Sequence, residues 1–125
     1  MSNKSKVLVI GMDEKTLSVI RESLSDCDVT DMDIDEGKDT LNIPDQDRPD
    51  LIILNGRSEK QATLELCKGL KTNSSSADVS LLVTFDRNQV TQIQYALEVG
   101  AKKCMVKPLI PSYLKETVED LLGTK

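Results

Sequence analysis

Short, continuous apolar runs alternate along the chain with segments whose apolar residues recur at helical spacing. Residues 7–10 and 51–54 are apolar at every position, which is typical of strands buried on both faces of a sheet. Leu17, Ile20 and Leu24 instead follow the i, i+3, i+7 spacing of one helix face. The alternation continues through the chain and predicts five strands that alternate with five helices.

The other elements are predicted from shorter signals. Met32 and Ile34 alternate with aspartates in a weak strand, typical of a sheet edge, and Gly37 ends it. The helix that follows should be short, because Pro44 would break it. The remaining predictions are a third helix through Leu66, Cys67 and Leu70, a fourth strand at 79–83, a fourth helix through Val90, Ile93 and Leu97 that Gly100 closes, a fifth strand at 104–106, and a last helix through Leu114, Val118, Leu121 and Leu122 with Pro111 in its first turn.

This order of elements predicts a three-layer α/β sandwich with a parallel sheet, because helical crossovers join parallel strands. The length of 125 residues suits a single domain over residues 1–125. Met1 is typical of a natural start, and the chain stops just after the last predicted helix. The domain could therefore stand alone or be the N-terminal part of a longer protein.

Charge and cysteine content narrow the function classes. The net charge is −5, from 16 basic and 21 acidic residues, which argues against non-specific binding to nucleic acid or to an anionic membrane. Three dispersed cysteines and no histidine make a disulfide framework or a zinc site improbable, so we expect reduced thiols and a cytoplasmic location. No signal peptide is recognisable, and no stretch approaches the ~20 apolar residues of a membrane helix.

Three segments together resemble the receiver domain family of response regulators, the chemotaxis-regulator-like fold. They are residues 6–10 with the turn that follows, residues 48–54, and residues 96–101 followed by Lys107 and Pro108. The resemblance covers nearly the whole chain in order. It implies strand order 2-1-3-4-5 and a functional crevice at the carboxyl ends of strands 1 and 3.

The resemblance also implies a phosphorylation site that this chain does not reproduce. The family phosphorylates an aspartate at the end of strand 3, and acids at the end of strand 1 hold Mg²⁺. Asn55 occupies the acceptor position here, while Gly11 and Met12 occupy the metal-binding positions. Asp13 is the first acid available. We therefore expect no catalysis, no metal site and no cofactor.

Two further positions of the family's switch are altered. The Ser/Thr position after strand 4 falls on Phe85, and alternation is expected to turn Thr84 toward the other face. Phe85 is expected to fill the vacated pocket as core. Cys104 replaces the family's switch aromatic, whereas the lysine survives as Lys107. A degenerate, phosphorylation-independent receiver is the favoured interpretation.

Two readings of the pocket stay open. Lys107 could form an ion pair with Asp13, which we favour, or hold an anion together with Arg57 and Arg87. Asn55 precedes Gly56, so deamidation could recreate an aspartate. An ordinary turn asparagine is favoured, because no metal site would accompany the new acid.

The function expected from these features is protein–protein interaction in signal transduction, with another signalling protein or a second copy as partner. The fourth predicted helix carries two apolar sets, of which one could face a partner. By resemblance, the surface of helix 4, strand 5 and helix 5 would serve this purpose. The residues expected near it are Ile93, Leu97, Cys104 and Lys115.

Two rival functions remain. The altered crevice could bind a small anion or metabolite through Lys107, Arg57 and backbone amides, which would make the domain a sensor. A flavodoxin-like enzyme is disfavoured, because the chain has no Gly-rich phosphate loop, no Walker motif and no histidine.

Overall fold

The computed structural model describes residues 4–32, 48–57, 59–72 and 76–123. Within them it contains five strands, four α-helices and one 3₁₀ helix. The order is β1 (Lys6–Ile10), α1 (Glu14–Ser23), β2 (Asp28–Met32), β3 (Leu51–Asn55), α2 (Lys60–Thr72), β4 (Ser80–Phe85), the 3₁₀ helix (Arg87–Gln92), α3 (Ile93–Glu98), β5 (Lys103–Val106) and α4 (Pro111–Leu122). The short helix predicted before Pro44 lies outside the described residues, so four of the five predicted α-helices are seen.

The five strands form one parallel sheet in the order β2-β1-β3-β4-β5, which confirms the predicted fold class and strand order. Alternate side chains of the central strands enter two separate cores. Val9 and Ile53 pack with α1 and α4 on one face, which we call the α1–α4 face. Ile10 and Leu54 pack with α2 and α3 on the other, the α2–α3 face. Burial on both faces explains why residues 7–10 and 51–54 are apolar throughout.

β2 is an edge strand, as its acidic pattern predicted. It begins at Asp28, earlier than the pattern indicated, and runs to Met32. Ile34 and Gly37, which were assigned to the same strand and its end, lie outside the described residues. Arg21 donates from Nη2 to Asp31 Oδ1 over 2.9 Å, which ties α1 to this edge.

The segment after β4 differs from the single helix predicted there. It starts as a 3₁₀ helix and continues as the short helix α3. Gln89 Nε2 and Gln92 Nε2 both donate to the carbonyl oxygen of Arg57, over 3.0 and 3.1 Å. These two bonds attach the segment to the loop after β3.

The two apolar sets predicted for this segment are both present. Ala96 is fully buried, and Val99 packs against the core of the α2–α3 face. Val90 and Leu97 are 47% and 45% exposed. Val90 and Leu97 of the predicted stripe therefore form the outer set, whereas Ile93 packs against the core of the α2–α3 face. The tighter 3₁₀ turn changes which positions face the sheet.

The helix ends follow from local sequence. Asp13 caps α1. Pro111 lies in the first turn of α4, where it was predicted. None of the helices in the described part of the chain is long and apolar enough to cross a membrane.

Candidate functional site

The candidate site lies where β1, β3 and β4 end at the same edge of the sheet. Gly11 follows β1, Asn55 ends β3, and Thr84 is the partner of Asn55 in the β3–β4 pairing. Residues paired in parallel strands direct their side chains to the same face. Asn55 and Thr84 therefore meet on the α1–α4 face.

The side-chain amide of Asn55 is hydrogen-bonded at both ends. Its Nδ2 donates to the carbonyl oxygen of Gly11 over 3.0 Å, and its Oδ1 accepts from Thr84 Oγ1 over 3.2 Å. Thr84 is fully buried, and its Oγ1 also lies 3.8 Å from Met12 Sδ. The result is a neutral, closed network. A carboxylate at position 55 could not make the bond to Gly11, because it has no N–H to donate.

Gly11 has a backbone conformation that favours glycine. Its φ is 73°, and its N–H donates to the carbonyl oxygen of Met32 over 3.0 Å. An L-residue with a Cβ would be strained at this φ. The turn after β1 therefore favours glycine at position 11, whatever other residue the pocket would accept.

The predicted orientations of Thr84 and Phe85 were wrong. Thr84 faces Asn55, whereas Phe85 points to the α2–α3 face and lies fully buried in that core. Phe85 is core, as expected, but it does not fill the space beside Asn55. It packs on Gly56, where a Cβ would lie 2.5 Å from Phe85 Cδ1.

Asp13, the first acid after β1, caps α1. Its Oδ2 accepts from the backbone N–H of Thr16 over 3.4 Å. Hydrogen bonding with the Thr16 side chain is the main cause that lowers the pKa of the Asp13 carboxyl below its ordinary value; the Thr16 backbone N–H and the positive charge of Lys107 lower it further. Asp13 therefore has a local structural role at the start of the helix.

Lys107 forms an ion pair with a different acid from the one predicted. Its Nζ lies 3.4 Å from Asp86 Oδ1, and the pair with Asp13 is not formed. The reason is the position of the strand ends. The N–H of Lys107 donates to the carbonyl oxygen of Phe85 over 2.8 Å, which brings the residue after β4 and the residue after β5 together. Sequence reasoning missed Asp86, although its place directly after a buried strand was visible.

No group of three or more histidine, cysteine or acidic side chains that could hold a metal ion is found among the described residues. Asp13 and Asp86, the first acids after β1 and β4, are bonded to Thr16 and Lys107 respectively. Hard cations such as Mg²⁺ need several oxygen ligands. The described residues do not provide such a set here.

The structure also bears on the Asn55–Gly56 pair. Deamidation requires the Gly56 nitrogen to attack the side-chain carbonyl carbon of Asn55 with loss of ammonia. The Gly56 N–H instead donates to the carbonyl oxygen of Thr84 over 2.7 Å, and Gly56 is buried. Both reacting groups are held in other bonds, so the fold opposes the reaction.

The four residues expected at an interaction surface do not lie together. Ile93 and Cys104 are partly buried and pack against the core of the α2–α3 face, while Leu97 is exposed. Lys115 lies on α4, on the opposite face, with its Nζ 3.9 Å from Asp26 Oδ2.

Cys104 is a poor candidate for redox chemistry. Burial raises the pKa of its thiol to about 11, and burial raises that of Cys67 to about 12. Only the thiolate is reactive, so both side chains serve as packing groups at neutral pH.

Sequence reasoning named Leu97 as a surface residue but did not assign the other large exposed apolar side chains near the same elements to the interaction surface. The large hydrophobic side chains that are exposed in the described residues all fall between positions 90 and 113. They are Val90, Tyr95, Leu97, Val106, Ile110 and Tyr113. Exposure cannot be read from an apolar pattern alone, because the same residue types form the core.

Comparison with known proteins agrees with this fold. The family model of the response regulator receiver domain matches residues 7–119. The response regulator MprA of Mycolicibacterium vanbaalenii is 27% identical over 117 residues, which are 94% of this chain and 50% of that protein. The alkaline phosphatase synthesis transcriptional regulatory protein PhoP of Bacillus subtilis is 25% identical over 94% of this chain and 48% of its own length. The chain thus spans about half the length of these curated relatives.

Solved structures share the fold at lower identity. A signal receiver domain of a two-component histidine kinase from Clostridium thermocellum superposes with a TM-score of 0.75 at 17% identity, covering 94% of this chain and 97% of that one. A response regulator from Thermotoga maritima gives a TM-score of 0.68 at 15% identity, covering 97% and 99%.

Proposed function

Since the chain belongs to the response regulator receiver domain family of two-component signalling, we propose that it is a docking domain that works without phosphorylation. Its partner is another signalling protein or a second copy of itself, and it catalyses no reaction. We propose the cytoplasm as its compartment, because its three cysteines are free thiols.

The observation that carries this proposal is the Asn55 amide. It occupies the end of β3 with both of its polar ends bonded, to Gly11 O and to Thr84 Oγ1. An amide nitrogen shares its lone pair with the carbonyl and is a poor nucleophile, so it cannot form an acyl phosphate. Gly11 and Met12 supply no carboxylate for a metal ion.

The exposed apolar side chains favour docking as the remaining role. Leu97 on α3 is 45% exposed, and Ile110 before α4 is 60% exposed. Within the described residues, the large exposed apolar side chains are all confined to positions 90–113, and we propose the docking surface in this part of the domain. These side chains are already exposed in the unphosphorylated protein, so docking through them would not require phosphorylation.

The test compares the response of the protein to beryllofluoride and Mg²⁺, which mimic an acyl phosphate, by NMR amide shifts. For the wild type, we expect no saturable, Mg²⁺-dependent shift at residues 11, 12 and 55. The variant Met12→Asp/Asn55→Asp restores one metal-binding carboxylate and the acceptor carboxylate, and we expect it to respond. The variant Met12→Asn, which adds polarity without charge, should remain silent.

Gly11 is left unchanged in this design. An aspartate there would be strained at φ 73°, so a triple variant could fail for conformational reasons. Incubation with acetyl phosphate and Mg²⁺, followed by intact mass, provides a second readout. A phosphorylated wild-type chain would refute the proposal.

The docking arm is tested by sedimentation of the protein alone and with candidate partners. Leu97→Glu and Ile110→Glu place charges on the exposed apolar surface and should abolish association. Lys68→Glu on the exposed side of α2 is the control and should associate normally. The melting temperatures of all three variants should stay near that of the wild type, since surface changes typically cost less than about 0.5 kcal/mol.

A further inference from the structure

We propose that a groove between α1 and the ends of β4 and β5 binds a small organic anion with a compact apolar body. The cavity has a volume of about 380 Å³. We call it the basic groove and define it by an apolar floor of Val19, Pro108 and Leu109 and a rim of Lys15, Arg87 and Lys107. Small-molecule sites begin at about 300 Å³, so the cavity is large enough for a small ligand and too small for a folded segment of a partner.

The charge of the rim is the reverse of the charge of the whole protein. Three cations face one acid, Asp86, in a chain whose net charge is −5. Within the described residues, Lys15 and Arg87 have no ion-pair partner. Concentrated positive charge over low-dielectric walls attracts anions more strongly than the same charges spread over an open surface. The basic groove should therefore bind anions in preference to neutral molecules or cations.

A second cavity of similar size shows that this charge surplus is specific. It has a volume of about 370 Å³ and lies near the start of β1 and the end of α1. Its lining contains Lys4 and Lys115 together with Asp26 and Glu119, and Lys115 lies 3.9 Å from Asp26. The two signs cancel there, so that cavity serves as the internal control.

The ion pair of the basic groove leaves room for a ligand. Lys107 Nζ and Asp86 Oδ1 are 3.4 Å apart, a loose pair, and the Asp86 side chain is 60% exposed. A ligand anion can add to Lys15, Arg87 and Lys107 without removing Asp86. Because Asp86 is the only acid among the described lining residues, its neutralisation should strengthen anion binding.

The floor defines the second half of the ligand. Val19 is half-buried and Leu109 is 8% exposed, so an apolar group placed on them leaves water. The predicted class is a carboxylate or phosphate monoester attached to a ring or short hydrocarbon. This inference is independent of the proposed docking function, because it concerns different side chains and a different measurement.

The test titrates the full chain with phenyl phosphate, benzoate and inorganic phosphate, followed by amide shifts in NMR. Phenyl phosphate is expected to give saturable shifts at Thr16, Val19, Arg87 and Leu109. Inorganic phosphate should bind at least several-fold more weakly, because it does not use the floor. Comparing the affinities of benzoate and phenyl phosphate distinguishes a site for carboxylates from a site for phosphates. Phenyltrimethylammonium, which has the ring with a cation, should not bind.

Variants with opposite expected effects make the test decisive. Lys15→Gln/Arg87→Gln should weaken phenyl phosphate about tenfold, the effect of two exposed charge contacts. Asp86→Asn should tighten it about threefold. Lys4→Gln/Lys115→Gln changes the same number of charges at the other cavity and should leave the affinity unchanged.

Three results with the small anions would overturn the proposal. They are linear shifts that never saturate, equal losses in the groove and control double variants, and shifts located at the second cavity. Binding only to an acidic peptide, with no response to any of the small anions, would identify a protein-docking site and also refute it. Folding of each variant is checked by the dispersion of its spectrum, so a loss of binding is not confused with unfolding.

Discussion

Two neighbouring sites at the carboxyl edge of the sheet satisfy their polar groups in opposite ways. The pocket between β1 and β3 is neutral, and its Asn55 amide is bonded to Gly11 and Thr84. The basic groove beside it keeps three cations, with one loose ion pair between Lys107 and Asp86. The first is closed by hydrogen bonds of the protein itself, whereas the second is open to water.

This difference indicates which interactions the fold depends on. A partly buried amide without partners would be costly, so the hydrogen bonds of the neutral pocket stabilise the domain. Exposed charges interact weakly through water, so the groove contributes little to folding. Changes around the pocket should therefore reduce stability, and changes around the groove should alter binding only.

The largest effect is expected for Phe85→Ala. Phe85 is fully buried directly behind the pocket, and its truncation should lower the free energy of unfolding by about 3–5 kcal/mol. Urea denaturation measures this change. Tyr113→Ala, at a side chain that is 47% exposed, is the control and should change it by less than about 0.5 kcal/mol. Equal effects would mean that Phe85 is not packed as described.

A smaller loss is expected for Gly56→Ala. The new Cβ would lie 2.5 Å from Phe85 Cδ1 and 3.0 Å from the Thr84 carbonyl oxygen, so overpacking should cost about 1–3 kcal/mol. Gly69→Ala is the matched control, since nothing lies within 4 Å of its Cβ position in α2. That change should stabilise the protein by about 0.5–1 kcal/mol, because alanine favours helix. Thermal unfolding tests this: a lower melting temperature for Gly56→Ala and a higher one for Gly69→Ala would support the close contact between Gly56 and Phe85.

Two glutamines that look equivalent should differ. Gln89 donates to Arg57 O and accepts from the Asp86 N–H over 2.8 Å, so Gln89→Leu removes two bonds and should cost about 1–2 kcal/mol. Gln92 makes only the bond to Arg57 O, and its buried Oε1 has no partner within the described residues. Gln92→Leu should therefore be nearly neutral, within about 0.5 kcal/mol, since it also removes an unpaired polar atom. Chemical denaturation of both variants in parallel tests this, and equal losses would contradict it.

The smallest effect belongs to Asp13, beside the groove. Its hydrogen bond to the Thr16 N–H is long, at 3.4 Å, so Asp13→Ala should cost only about 0.5 kcal/mol, and Asp13→Asn should cost less. The folded pKa of Asp13 lies below its ordinary value of 3.8, so its charge stabilises the fold above pH 3.8. That contribution is lost as the pH falls through the folded pKa. Urea titrations at pH 7 and pH 3 measure the free energies of unfolding of the wild type and Asp13→Asn. The difference between the two proteins should be smaller at pH 3.

The fold was largely predictable from the sequence, because a two-sided parallel sheet requires apolar runs. Residues 7–10 and 51–54 are such runs, and the spacing of Leu17, Ile20 and Leu24 predicted α1. The segment after β4 was not predictable in detail. Its change from 3₁₀ to α-helix depends on the bonds of two glutamines to a carbonyl group 32 and 35 residues earlier.

The sequence predicted several of the residues that lie at the site, but not the faces of the sheet to which their side chains point. Counting residues from Asn55 and Lys107 selected Phe85, whereas strand pairing places Thr84 beside Asn55. Pairing register depends on backbone hydrogen bonds between distant segments, which a residue count does not include. The same limit hid the contact of Lys107 with Asp86, because it depends on where two neighbouring strands end.

The backbone bond from Gly56 to Thr84 has a consequence for protein ageing. In the folded domain the Gly56 nitrogen is held 2.7 Å from the Thr84 oxygen, away from the Asn55 side chain. Only chains that have unfolded leave this nitrogen free to attack. Aspartate or isoaspartate at position 55 in stored protein would thus record the time that a molecule has spent unfolded, and position 55 can serve as an internal clock of conformational history.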